Sequence, residues 1–149
     1  MNRDQLASFE QASDFMRVTG LHFEEVSASR VSGWIDIGPQ HHQPMGIVHG
    51  GVYCAAIEGA ASFGASFGAP EGYNVVGVHN STNFIKAFSA GRVLLEGAPV
   101  QQGRTQQLWE IRITSDADGS LLAIGQVRLA NLPPRPDPGR ANGTGSGGN

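Results

Sequence analysis

The spacing of apolar positions divides the chain into strands and one long helix. Leu21 and Phe23 alternate with His22 and Glu24, and Val31, Gly33, Ile35 and Ile37 alternate with Arg30, Ser32, Trp34 and Asp36. A period of two marks a strand with one buried face. Gly38-Pro39 ends the second strand, because proline lacks an N–H for the ladder. Further strand patterns cover residues 74–88, 92–100, 104–114 and 121–130, with Gly91, Gly103 and Asp118-Gly119 as turns between them. In the third of these, Thr105, Gln107, Trp109, Ile111 and Ile113 share one face, and short connections predict antiparallel neighbours. Residues 50–68 lie between the two sets of strands and are apolar or small almost all round, which predicts a buried helix stopped by Pro70. Gly59, Gly64 and Gly68 each lower helix propensity by ~1 kcal/mol relative to Ala, a sacrifice expected where a curled sheet approaches the helix axis. A short helix is expected over residues 4–11, with Leu6 and Phe9 on one side. The order β-β-α-β-β-β-β predicts an α+β fold with one central helix.

Composition narrows the class. A length of 149 residues fits one domain. Residues 133–149 hold four of the eight prolines and five of the 21 glycines, with no aliphatic side chain larger than alanine. They are expected to form a disordered tail after a domain at 1–132, since they bury too little to offset ordering. Ten basic against 13 acidic residues give a net charge of −3, which argues against a nucleic-acid partner. Cys54 is the single cysteine, so neither an internal disulfide nor a thiolate metal cluster is expected. Charges at Arg3, Asp4, Glu10, Asp14 and Arg17 break any secretory h-region, and Glu58 interrupts the one candidate membrane stretch. A cytoplasmic protein without a membrane partner is the expectation.

Candidate chemistry gathers where the loop meets the helix. Val48-His49-Gly50-Gly51 places two residues without side chains at a helix start, where unpaired N–H groups and the macrodipole favour a negative or polarised oxygen. The bland alternative is a flexible turn. Glu58 is the only Asp, Glu, Lys or Arg between Gln40 and Glu71. It either occupies a narrow solvent-facing stripe or is a carboxylate held in a cleft as base or nucleophile. Ala55, Ala61 and Ser62 keep its surroundings small. Eight residues from Gly50 to Glu58 correspond to about 12 Å along a helix, too far for both to flank one reacting carbon. Two helices related by a two-fold axis would bring Gly50 of one chain to Glu58 of the other.

The run Gln43-Pro44-Met45-Gly46-Ile47-Val48-His49-Gly50-Gly51, with Glu58 nine residues after His49, resembles the hotdog-fold acyl-CoA thioesterases. The nearest branches are the phenylacetate-pathway type and the 4-hydroxybenzoyl-CoA thioesterase of the Arthrobacter kind. Asn83-Phe84-Ile85-Lys86 and Gly103-Arg104-Thr105 extend the likeness into later strands. The resemblance implies a six-stranded antiparallel sheet wrapped around one long helix, subunits joined edge to edge as a homodimer, and commonly a dimer of dimers. It implies an acyl-CoA substrate and no separate cofactor, coenzyme A being part of the substrate. Gly50 would donate its N–H to the thioester carbonyl. Glu58 of the opposing subunit would attack that carbonyl or activate water, with Ser62 holding the water. Gln43, which is Asn in many phenylacetate-type members, would position the thioester or water, and His49 would brace the loop, with a secondary catalytic role open to it. Gly51, His79, Phe84, Lys86, Gly103, Arg104 and Thr105 are the substrate-contacting candidates, with Lys86, Arg104 and Thr105 toward the CoA nucleotide.

Rival readings follow from the same residues. His41, His42 and His49 invite a metal, but no helical i, i+4 ligand spacing accompanies them, and none is expected. Cys54 lacks an activating base and reads as a buried structural thiol. His79 either lines the acyl pocket or simply occupies the sheet. A hotdog hydratase or dehydratase, or a non-catalytic acyl-CoA binding module, would use a similar frame with other chemistry.

Overall fold

Alternation along the strands resolves into a single sheet. The computed structural model describes residues 13–134. In chain order these form α1 (Asp14–Thr19), β1 (His22–Val26), β2 (Val31–Ile37), a 3-10 turn (Pro39–His41), α2 (Gly50–Gly68), β3 (Asn74–Phe84), β4 (Gly91–Gln102), β5 (Gln106–Ser115) and β6 (Leu121–Leu132). All six strands pair antiparallel in the order β1-β2-β4-β5-β6-β3 and pack against α2, the hotdog arrangement. Val31, Gly33, Ile35 and Ile37 point inward as their period predicts, and so do Gln107, Trp109, Ile111 and Ile113. Thr105 does not join them: it is exposed in the turn before β5.

Three expectations need revision or fall elsewhere. The short link after β3 does not make β3 and β4 neighbours. Phe84 pairs with Ala123 of β6 while Val93 pairs with Ser115 of β5, so residues 85–90 cross the ends of two strands. That crossover leaves β3 on the sheet edge. The helix over residues 4–11 lies outside the described residues, as does the tail from 135 onward. The helix described at this end is α1, where the Ser13 Oγ accepts from the Met16 N–H and Gly20, at φ 68°, ends the turn.

The central helix is one-sided rather than buried all round. Tyr53, Ala56, Ile57, Ala60, Ala61, Gly64 and Ala65 form its buried face, while Gly51, Glu58, Ser66 and Phe67 are exposed. Small residues on both faces hid this pattern from the sequence. Gly64 is the glycine that packing demands: a β-carbon there would sit 2.5 Å from the Trp109 ring. Trp109 is wholly buried and its Nε1–H donates to Gln107 Oε1 at 3.0 Å. Gln107 Nε2 in turn donates to the Ala65 carbonyl at 2.8 Å and to Asn131 Oδ1 at 3.0 Å. These bonds satisfy buried polar groups that would otherwise be costly. Gly59 is different, since its nearest added contact is Leu21 Cδ2 at 3.9 Å.

Gly64→Ala is therefore expected to destabilise the protein by about 1–3 kcal/mol through overpacking against Trp109, despite alanine's better helix propensity. Gly59→Ala should raise stability by up to about 1 kcal/mol. Urea unfolding of the two variants checks the pair, and equal effects of the same sign would contradict the packing account.

Candidate functional site

The loop before α2 is built by backbone bonds that fix where the helix begins. The Gln43 N–H donates to Ile47 O at 2.9 Å and the Gly46 N–H to Gln43 O at 2.9 Å, closing a tight turn, while the Gln43 side chain accepts from the Met45 N–H. Val48 N–H donates to Phe88 O at 2.9 Å and His49 N–H to His41 O at 2.8 Å, tying the loop to the crossover after β3. His49 is the N-cap of α2: its Nδ1 accepts from the Gly51 N–H at 2.9 Å. That bond occupies Gly51, whereas Gly50, the first residue of the helix, has no intrahelical acceptor for its N–H. The partial positive charge of the helix tip is thus presented by one amide, backed by 19 residues of aligned peptide dipoles.

The other loop histidines are occupied. His41 is 2% exposed; its Nδ1 accepts from the Gly38 N–H at 3.2 Å, and its Nε2 donates to the carbonyls of Val18 (3.2 Å) and Thr19 (3.1 Å). His42 Nε2 donates to Ser89 O at 2.6 Å. They bind the loop to α1 and to the crossover instead of standing in water. Among the described residues, no group of three or more His, Cys, Asp or Glu could hold a metal ion. Cys54 is half-buried, and its carbonyl accepts from Asn80 Nδ2 at 3.0 Å.

Two pockets divide the candidates. One, of about 250 Å³, is lined by Gln43, Gly50, Tyr53, Phe84 and Lys86 among others. Phe84 lies over the helix tip, for a β-carbon on Gly50 would sit 2.5 Å from its ring. The second, of about 240 Å³, is lined by Glu58, Ser62, Gly59 and Ala55 from α2, with Phe15, Met16 and Leu21 opposite. No residue is common to both. Glu58 is exposed in the single chain at the mouth of the second pocket, and its carboxylate rests above Gly77 of β3.

The remaining candidates scatter. Lys86 reaches the first pocket, but its Nζ also donates to Ser120 Oγ (3.1 Å) and pairs with Asp118 Oδ2 (3.4 Å). Hydrogen bonds from the Ser120 hydroxyl and then its backbone N–H hold the Asp118 carboxyl well below the usual carboxylate range. Gly103, Arg104 and Thr105 form the β4–β5 turn, clamped by Asn131, whose Nδ2 donates to the Gly103 (3.0 Å) and Arg104 (3.2 Å) carbonyls. The Gln107–Ala65 bond places this turn by the C-terminal end of α2, the end remote from Gly50 within one chain. His79 is exposed and follows a bulge after Gly77; its register partner is the exposed Arg128, so it stands on the outer face of the sheet. It lines neither pocket. Missed from the sequence were Tyr53 and the α1 residues Phe15 and Met16. Tyr53 is the one tyrosine in a helix otherwise made chiefly of small and aliphatic residues, a signal that was available.

One antiparallel six-stranded sheet packed on one long helix defines a hotdog protein. The Thioesterase superfamily model matches residues 45–122. The chain is 46% identical over 122 residues to Rv1847 of Mycobacterium tuberculosis, covering 78% of this chain and 85% of that protein. It is 30% identical over 111 residues to the 1,4-dihydroxy-2-naphthoyl-CoA hydrolase of Listeria monocytogenes, 74% and 89% of the two chains. The crystal structure of S. sahachiroi AziG superposes with a TM-score of 0.78 at 38% identity, covering 81% of this chain and 98% of that one. The chain belongs to the Thioesterase superfamily.

Because His49 caps α2 through its ring nitrogen, His49→Ala is expected to lower stability by about 0.5–2 kcal/mol, and His49→Asn to recover most of it. Thermal unfolding of both variants tests this; equal losses would show that the cap contributes nothing.

Proposed function

We propose that this protein hydrolyses acyl-CoA thioesters at a site shared between two copies of the chain. The observation that carries this reading is the division of Gly50 and Glu58 between two pockets that share no residue, in a chain whose β3 is an open sheet edge. Glu58 rests above Gly77 and Gly50 lies beneath Phe84, seven residues further along β3. An antiparallel β3–β3 pair centred near residues 80–81 would place Phe84 of the partner subunit about one residue from Gly77. The Gly50 tip of one protomer would then stand next to Glu58 of its mate. An unpaired edge strand eleven residues long, with Val78 54% and Phe84 57% exposed, is the kind of surface that takes a strand from another chain.

In such a pair the thioester carbonyl accepts from the Gly50 N–H, which strengthens as charge moves onto the oxygen in the tetrahedral state. Gln43 orients the thioester from the same pocket. Glu58 supplies the attack by one of two routes. In one, its carboxylate bonds to the carbonyl carbon as the C–S bond breaks and CoA thiolate leaves, with water then hydrolysing the anhydride. In the other, it takes a proton from water held by Ser62 as that water adds to the carbon and CoA thiolate leaves. Its apolar neighbourhood between α1 and α2 receives the acyl group. Lys86 of one subunit and the Arg104 turn of the other would approach each other and meet the CoA nucleotide. Those two positions lie at opposite ends of one chain, and antiparallel pairing brings opposite ends together. Acyl-CoA as substrate is supported by a relative named for hydrolysing a naphthoyl-CoA. The frame also accommodates the aryl-CoA thioesterase branches that the loop resembles.

Complementation tests the shared site. Glu58→Ala removes the attacking group, and Gly50→Pro removes the helix-tip N–H at a first-turn position that tolerates proline's φ, its ring displacing the exposed Phe84 side chain that overlies Gly50. Each variant alone is expected to lose hydrolysis by about 10²-fold or more. Co-refolded one to one, half of the dimers are mixed and each holds one intact site of two. About a quarter of wild-type thiol release should return. No recovery on mixing would mean that both groups act within one chain.

A further inference from the structure

Tyr53 carries an unused hydrogen-bond donor beside the proposed carbonyl site. The side chain is 3% exposed, yet its hydroxyl is the one buried side-chain polar atom among the described residues with no partner. Burying a hydroxyl without a partner costs about 1–3 kcal/mol in proteins. Replacing it with phenylalanine would remove that cost and keep the ring, so packing alone gives no reason for the oxygen. Burial pushes the phenol up to about 12, and it stays protonated, a donor, throughout the working range of an enzyme.

The location gives the donor a purpose. Tyr53 stands three residues after Gly50 on α2 and lines the same pocket as Gly50, Gln43 and Phe84. Helical side chains lean toward the helix N-terminus, which for Tyr53 is the tip where the free N–H is presented. Its ring centroid lies 6.3 Å from that of Phe84, the ring that covers Gly50. An unpaired N–H and an unpaired O–H therefore serve one pocket, and neither finds an acceptor among the described residues. A carbonyl-type oxygen is the chemical group that two such donors suit.

We infer that Tyr53 is a second donor of the Gly50 pocket, giving its hydroxyl proton in a hydrogen bond to a carbonyl oxygen of the bound acyl-pantetheine chain. The inference rests on the acyl-CoA reading above and adds to it a group outside the loop and the carboxylate. Two oxygens of the same chemistry qualify: the thioester carbonyl, whose charge grows in the transition state, and a pantetheine amide carbonyl, whose charge does not.

Tyr53→Phe tests this with kinetics, binding and stability measured together. Hydrolysis of benzoyl-CoA and of a short-chain acyl-CoA should fall about tenfold or more in kcat/KM. A fall in kcat larger than the rise in KM identifies the thioester oxygen, whose bond strengthens in the transition state, and a rise in KM at constant kcat identifies the amide. Affinity for a dethia analogue, with CH2 in place of sulfur, should weaken alongside. The melting temperature should hold or rise, because an unpaired buried hydroxyl has been removed. Unchanged kinetics and unchanged analogue affinity overturn the inference, as does a lowered melting temperature, which would place the acceptor inside the protein. Wild-type protein that releases no thiol from any acyl-CoA would instead overturn the hydrolase reading, while the analogue-binding comparison would still judge Tyr53.

Discussion

The close approach of the sheet to α2 is the constraint on which the rest of the structure depends. Gly64 lies against the Trp109 ring and an alanine stripe faces the strands, so the helix gives mostly small side chains to the contact and the sheet supplies the large ones. A sheet drawn so near must curve, and its two edge strands, β1 and β3, stay unpaired on one side. Large residues on the inner strands, Ile35, Ile111, Ile113 and Leu129, fill the volume that the helix leaves. The apolar area removed from water there drives the fold.

Polar groups inside this frame are anchors rather than chemistry. Gln107 ties β5 to the Ala65 carbonyl, to Asn131 of β6 and to the Trp109 ring, so the remote end of α2 is locked to two strands. At the near end His41 does the equivalent work, holding α1 and the loop together through both ring nitrogens. With both ends fixed, the helix tip is held in one place. A single amide donor needs that, since its effect on a developing oxyanion depends on not having to reorganise.

Separation of the two pockets follows from helix geometry. Groups eight residues apart on one helix cannot converge on one atom. Joining at β3 would resolve this while covering the exposed Val78 and Phe84. Stability of the assembly and completion of the site would then come from the same pairing, and Glu58, exposed in a single chain, would gain the enclosed setting that its chemistry calls for.

By itself the sequence determined what local rules can determine. A period of two located all six strands, Pro70 and the glycines bounded the long helix, and His49-Gly50-Gly51 marked its tip, because these signals reside in neighbouring residues. It also placed Gln43 and Glu58 on the loop and helix that carry them. Only tertiary structure decided that β3 leaves its chain neighbour β4 for β6, since pairing is a competition between distant strands. The same holds for the buried face of α2, which alanine and glycine do not encode, and for His79, turned outward by a one-residue bulge. Tyr53 belongs here too: that its hydroxyl lacks a partner is a statement about everything packed around it, and no spacing along the chain expresses it.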